Sequence, residues 1–206
     1  MILHLDPRTG RVRKHAAGAD ERRRLVRERD VLALLPHPGL VRLVDAGTGW
    51  IELAEVRGWC LADVGPLPST QVAGIGAAIA TVLSDLHDLG VTHGAVQPSH
   101  VLLDDHRRPV LCSLGRAETV HGRQDCAEDV RRLARALQRW SPAPGRGHRG
   151  RRRTAGRPGR DAADALGRIL EQTARARRPR SRELARALTD LPGSDLPGWT
   201  MPESTP

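Results

Sequence analysis

The residues able to do chemistry gather around His93-Gly94-Ala95-Val96-Gln97-Pro98-Ser99-His100, which runs into the apolar Val101-Leu102-Leu103 and then Asp104. His93 could transfer protons, and Ser113 could supply a nucleophilic hydroxyl. Both readings are incomplete. His93 reads better as a structural, hydrogen-bonding histidine, and Ser113 has no base partner identifiable in the sequence. A zinc site built from His93, His100, His106 and Cys112 matches no recognised ligand spacing, so no metal is expected. Lys14 is the single lysine among 33 basic residues. It reads either as an ion-pair partner for Glu28 or as a solvent-facing charge on an edge strand. Glu28 could equally be one charge on the Arg/Glu face of its helix.

These residues need elements to position them. Ile2–Leu5 and Arg11–His15 read as a hairpin around Asp6-Pro7-Arg8-Thr9-Gly10. Asp20 is a plausible N-cap for a helix reaching Leu35, with Leu25, Leu32 and Leu35 on one face and Pro36 as its stop. Leu40–Asp45 and Trp50–Val56 read as strands. Ser69 or Thr70 caps a helix whose apolar positions run from Val72 through Ile79 and Leu86 to Leu89, with Gly90 closing it. Short strands are expected at Val101–Leu103 and Pro109–Cys112, and helices at Cys126–Trp140, 161–176 and 181–191.

Composition sets the outer bounds. Of the 206 residues, 39% are hydrophobic, enough for a globular body. Phe, Tyr and Asn are absent, which together with the scarcity of Lys points to a GC-rich genome and makes part of the Arg excess mutational. The net charge of +9 is concentrated in 145–160, a Gly/Arg/Pro tract without apolar periodicity or aromatic residues. Such a run reads as a disordered linker with weak nucleic-acid binding at most. The cysteines Cys60, Cys112 and Cys126 form no CxxC pair and suit a reducing cytosol. Neither a secretory signal nor a membrane span is visible, so a cytoplasmic, membrane-free protein is expected.

The order of these pieces resembles a bacterial Ser/Thr protein kinase domain, actinobacterial ones in particular. DPRTGRVRK resembles the hairpin that ends in the family's ATP-contacting lysine, which places Lys14 there. LVRERDVLALLPHPGLVRLVDAGTG resembles the family's C helix and the strand after it, with Glu28 at the glutamate that pairs with that lysine. WIELAEVRGWCLADV is similar to the hinge segment, with Leu53 as gatekeeper and Ala54–Val56 as the stretch that would meet an adenine. His93–His100 stands at H-R-D-L-K-P-x-N, Ser113-Leu114-Gly115 at D-F-G, and Asp129 at the aspartate that supports the catalytic-loop backbone. ARRPRSRELARAL resembles the last helix of the family.

The resemblance implies an α+β, bilobal fold. Its divisions would be a truncated N-lobe without a glycine-rich loop at 1–56, a mainly helical C-lobe beginning at 57–140, a linker at 141–160, terminal helices at 161–191 and a disordered tail at 192–206. The departures fall on the chemistry. Ala95 replaces the catalytic Asp, Gln97 a Lys, His100 the metal-binding Asn, Ser113 the metal-binding Asp, and Gly94 an Arg. A neutral hydroxyl is a poor ligand for a hard cation, and imidazole prefers softer metals than magnesium. Losing one positioned group in such a site costs about a hundredfold or more.

The expectation is therefore a pseudokinase, not an enzyme, with no catalytic residues left at His93, Ala95, Gln97, His100 and Ser113. It would act as a regulatory module that binds a protein, an active kinase being one candidate. No cofactor is expected, although Lys14 and Glu28 leave room for ATP. The alternatives are an atypical Ser/Thr kinase with residual ATP binding or activity, and a nucleic-acid binder acting through the Arg tract.

Overall fold

The computed structural model describes residues 1–120, 123–141 and 158–194. Strands β1 (Ile2–Asp6) and β2 (Arg11–His15) form an antiparallel hairpin. Its turn is set by Asp6, whose carboxylate accepts from the Arg8 N–H and the Thr9 hydroxyl, each at 2.9 Å. With β3 (Leu43–Gly47) and β4 (Trp50–Ala54) they make a four-stranded sheet in the order β1-β2-β4-β3. Lys14 pairs with Ile51 across β2 and β4. Its strand is therefore interior, and the edge-strand reading of this lysine does not hold.

Helix α1 (Ala19–Leu34) lies against this sheet with Leu25, Glu28 and Leu32 buried. Its N-cap is Gly18 and not Asp20, which sits inside the first turn. The end is closed by Glu21, whose carboxylate reaches back to accept the Ala17 N–H at 2.7 Å. A glutamate at the third helical position can reach back to the N–H groups before the helix, and here it takes the place of a side-chain cap, which Gly18 cannot supply.

The remainder is mainly helical. Helix α2 (Ser69–Asp88) is buried along most of its length and is the axis of the core. Its N-cap is Pro68, so neither Ser69 nor Thr70 caps it. Gly76 lets two neighbours press close: a Cβ there would meet Leu137 Cδ1 at 2.6 Å and Leu188 Cδ1 at 2.8 Å. Val72, Ile75, Ile79, Val82, Leu83 and Leu86 are buried, whereas Leu89, beyond the last turn, is exposed. Gly90 follows with φ +71°, donating its N–H to His87 O at 3.0 Å.

Strand β5 (Gly58–Cys60) pairs with β7 (Val101–Asp104), which pairs with β8 (Pro109–Leu111). Strands β6 (Val91–Thr92) and β9 (Glu118–Thr119) form a two-stranded ribbon. Helices α3 (Arg123–Trp140), α4 (Pro158–Arg175) and α5 (Ser181–Thr189) complete the bundle around α2. Helix α4 starts at Pro158 rather than at 161, with proline at the first helical position, where its missing N–H costs nothing. The rest of the expected linker, 142–157, lies outside the described residues. So does the tail from 195, while Ser194 is tied back by its hydroxyl to Thr189 O at 2.8 Å. Among the described residues no helix is long and apolar enough to cross a membrane.

Candidate functional site

The segment after β6 is held from below by one carboxylate. Asp129, buried on α3, accepts the His93 N–H at 2.7 Å through Oδ2 and the Gly94 N–H at 3.0 Å through Oδ1. His87 Nε2 lies 3.2 Å from the same Oδ2. A single charged acceptor thus fixes two successive amides, and such bonds are stronger than neutral ones.

His93 is wholly buried and uses both ring nitrogens. Nε2–H donates to Cys112 O at 3.1 Å, and Nδ1 accepts the Ala95 N–H at 3.2 Å. Burial pushes its pKa down to about 4, with Asp129 pulling the other way. A neutral imidazole with no lone pair to spare is a strut between two loops and not a proton carrier. Burial likewise pushes the neighbouring Cys112 thiol up.

Gly94 adopts φ +72°, and a Cβ there would stand 2.1 Å from Arg116 O. The 3-10 turn Leu114–Arg116 therefore packs directly against residue 94, and only glycine fits. Arg132, also on α3, donates its guanidinium to Gly94 O. His100 folds back over the loop, its Nδ1–H donating to Ala95 O at 2.7 Å, while the exposed Gln97 amide meets Nε2 at 2.9 Å. Ser113 is in the left-handed region at φ +69°, one of two described non-glycine residues with positive φ. Strain of this kind tends to persist where the surroundings fix the backbone.

Across from this loop, Lys14 Nζ lies 2.7 Å from Glu28 Oε1, with Lys14 8% and Glu28 2% exposed. The pair and the loop face one cavity of about 560 Å³, which Lys14, Glu28, Ala95, Gln97, His100 and Ser113 all line. His93 lies beneath it and does not reach it. Arg24, Arg116 and Arg132 line the same cavity, as does Glu21. Sequence reasoning missed these arginines, because they come from α1, the 3-10 turn and α3 and share no motif. A larger cavity of about 750 Å³ lies between α3 and α4, and neither the Lys14–Glu28 pair nor any residue of 93–100 lines it.

The donor set does not suit magnesium. Of the two carboxylates lining the cavity, Glu28 is taken by Lys14 and Glu21 by the Met1 ammonium and the Ala17 N–H. The remaining lining groups nearest the loop are a hydroxyl, an amide, an imidazole and a methyl. Hard cations need several oxygen ligands. Among the described residues no three His, Cys, Asp or Glu side chains converge to hold a metal.

Comparison with known proteins gives this arrangement its context. No family model matches the chain. Curated relatives do. Serine/threonine-protein kinase 36 of Pongo abelii is 30% identical over 127 residues, 58% of this chain and 9% of that protein. The DNA damage-responsive serine/threonine-protein kinase RqkA of Deinococcus radiodurans is 30% identical over 106 residues, 46% of this chain and 16% of that protein. Serine/threonine-protein kinase PkaA of Streptomyces coelicolor is 34% identical over 111 residues, 48% of this chain and 20% of that protein. The matched part thus spans a fifth or less of these relatives' own length.

The chain is protein kinase-like, with an α+β fold. One expectation is corrected. The chain was expected not to be an enzyme, yet the relatives it matches are named as Ser/Thr protein kinases, which points toward a kinase. The physical reason lies in what the loss of individual groups leaves standing. Ala95, His100 and Ser113 alter the reacting edge of the cavity, but Asp129 still shapes the loop and Lys14 with Glu28 still faces it.

Proposed function

We propose that the chain is an atypical Ser/Thr protein kinase that takes ATP into the cavity between Lys14 and His100. The observation that carries this reading is the buried Lys14–Glu28 pair, at 2.7 Å, facing the same cavity as the loop built on Asp129. A lysine held by a buried carboxylate presents a fixed positive charge where nucleotide phosphates would lie. Residues 1–56 would then form the lobe that covers the nucleotide, and 57–140 with 161–191 the lobe that carries the loop. The expected hinge, Ala54–Val56, does not line this cavity; it lines a separate one with Gly10, Leu40 and Asp104, so no adenine contact is assigned to it. Two of its N–H groups are already spent, Ala54 on Arg42 O and Glu55 on Gly10 O, each at 2.8 Å.

The transfer step needs a proton acceptor, and Ala95 cannot be one. His100 is the imidazole on the cavity wall, and its Nε2 lone pair is covered only by the exposed Gln97 amide among the described residues. In this reading a substrate hydroxyl attacks the γ-phosphorus and the bond to the bridging β–γ oxygen breaks. ADP leaves with that electron pair, and the hydroxyl proton passes to His100 Nε2. Without the usual base the rate falls about a hundredfold or more below the roughly 1–100 per second of ordinary kinases.

A thermal-melt titration with ATP tests the binding half of this reading. Wild type is expected to gain several degrees at saturating ATP, and Lys14→Met to gain none. An equal gain in both would remove Lys14 from the site.

A further inference from the structure

The cavity is cationic as well as unsuited to magnesium. Lys14, Arg24, Arg116, Arg132 and the Met1 ammonium line it against the two carboxylates Glu28, paired with Lys14, and Glu21, paired with Met1, while Arg132 is paired with Glu128. Arg24 and Arg116 are exposed at its rim and make no direct salt bridge among the described residues, although the Arg24 charge helps hold the Glu21 carboxyl below its ordinary range. Gly115 presses against Arg24, where a Cβ would lie 3.0 Å from Arg24 Cβ, so the two arginines flank one close contact between α1 and the 3-10 turn. Their places are thus set by backbone packing, and neither guanidinium makes a direct salt bridge among the described residues.

We propose that this site binds the polyphosphate of a free nucleoside triphosphate through these side-chain cations, with no divalent metal between protein and phosphate. The inference rests on the kinase-like reading above and goes beyond it. Guanidinium groups neutralise phosphate oxygens and bond them in pairs. In a kinase site the metals bridge the phosphates and offset their charge. Here the charge-neutralising part of that work falls to Arg24 and Arg116 at the rim, with Lys14 buried beside Glu28. Magnesium bound to the triphosphate removes negative charge from the ligand and finds no unpaired carboxylate in the cavity. It therefore competes with the arginines instead of assisting them.

The test is calorimetric titration of ATP and of adenosine into the full chain, in EDTA and in excess magnesium. Wild type and Arg24→Ala/Arg116→Ala are compared. Both substitutions are on exposed side chains, so the fold is retained, and far-ultraviolet circular dichroism verifies it. The expected result is ATP bound in EDTA and weakened threefold or more by magnesium. The double variant loses about tenfold in ATP affinity, as two partly screened charge contacts allow, and its adenosine affinity is unchanged. Tighter ATP binding in magnesium overturns the inference and leaves the kinase-like reading in place. Metal-free binding that ignores the double variant also overturns it, because other groups then hold the phosphates. Absence of ATP binding in both buffers overturns the inference and that reading together.

Discussion

Arg116 O occupies the space that a side chain on Gly94 would need: a Cβ on residue 94 would lie 2.1 Å away. This one contact joins the loop on Asp129 to the turn that follows Ser113 and leaves no room for a side chain at residue 94. Gly94→Arg is expected to lower stability by about 2–4 kcal/mol, from the clash and the positive φ together. Urea unfolding measures it. An arginine accepted at no cost would mean that the two segments do not pack this closely.

Asp129 supports the same loop from the other side. Asp129→Ala leaves the His93 and Gly94 amides without an acceptor and is expected to cost roughly 3 kcal/mol. Asp129→Asn keeps one acceptor oxygen and should fall between the two. Hydrogen exchange at those two amides gives the local readout, with faster exchange in both variants and the larger effect in Asp129→Ala.

The Lys14–Glu28 pair is buried, so its parts and its whole should behave differently. Lys14→Met or Glu28→Leu alone strands a buried charge and is expected to cost about 3–5 kcal/mol. The double substitution removes both charges and should recover most of that stability while leaving ATP binding absent. Additive losses in the double mutant cycle would show that the two side chains do not interact.

Acid should weaken the fold through His93. Its folded pKa is about 4, held down by burial, while an imidazole in the unfolded chain titrates near about 6.5. Between these values the unfolded chain binds a proton that the folded chain refuses, so stability rises with pH. The contribution is complete above pH 6.5, declines as pH falls toward 4, and amounts to on the order of 3 kcal/mol. His37, lowered by its own burial against Asp85, acts in the same direction. The pH slope of stability in His93→Gln should therefore shrink without vanishing. A slope equal to wild type would mean that His93 is not buried in its neutral form.

The left-handed backbone of Ser113 makes a further distinction. Ser113→Asn should be tolerated, because asparagine adopts this region readily, whereas Ser113→Val should cost about 1–2 kcal/mol. Melting curves of the two variants separate them.

Much of this was legible from pattern and much was not, for physical reasons. The faces Leu25/Leu32 and Val72 to Leu86 announce themselves by helical spacing, because a helix must bury one stripe. Strands β6 and β9 have two residues each and carry no period to read. The N-terminus of α1 was misread because Glu21 and Asp20 both look like capping residues, and only geometry shows that Glu21 reaches the Ala17 N–H. At the site, the kinase-like order was visible in motifs, while Arg24, Arg116 and Arg132 meet only through tertiary packing. The expectation that the chain is not an enzyme weighed Ala95 and Ser113 heavily, and it is the matched Ser/Thr kinases that count against it.

Transfer of labelled γ-phosphate from ATP to the chain itself, or to a generic protein substrate, tests the central claim most directly. The account predicts slow but measurable incorporation into Ser or Thr, lost in Lys14→Met and in His100→Ala. Incorporation that persists undiminished in both variants, or none at all from folded protein that binds ATP, would contradict it.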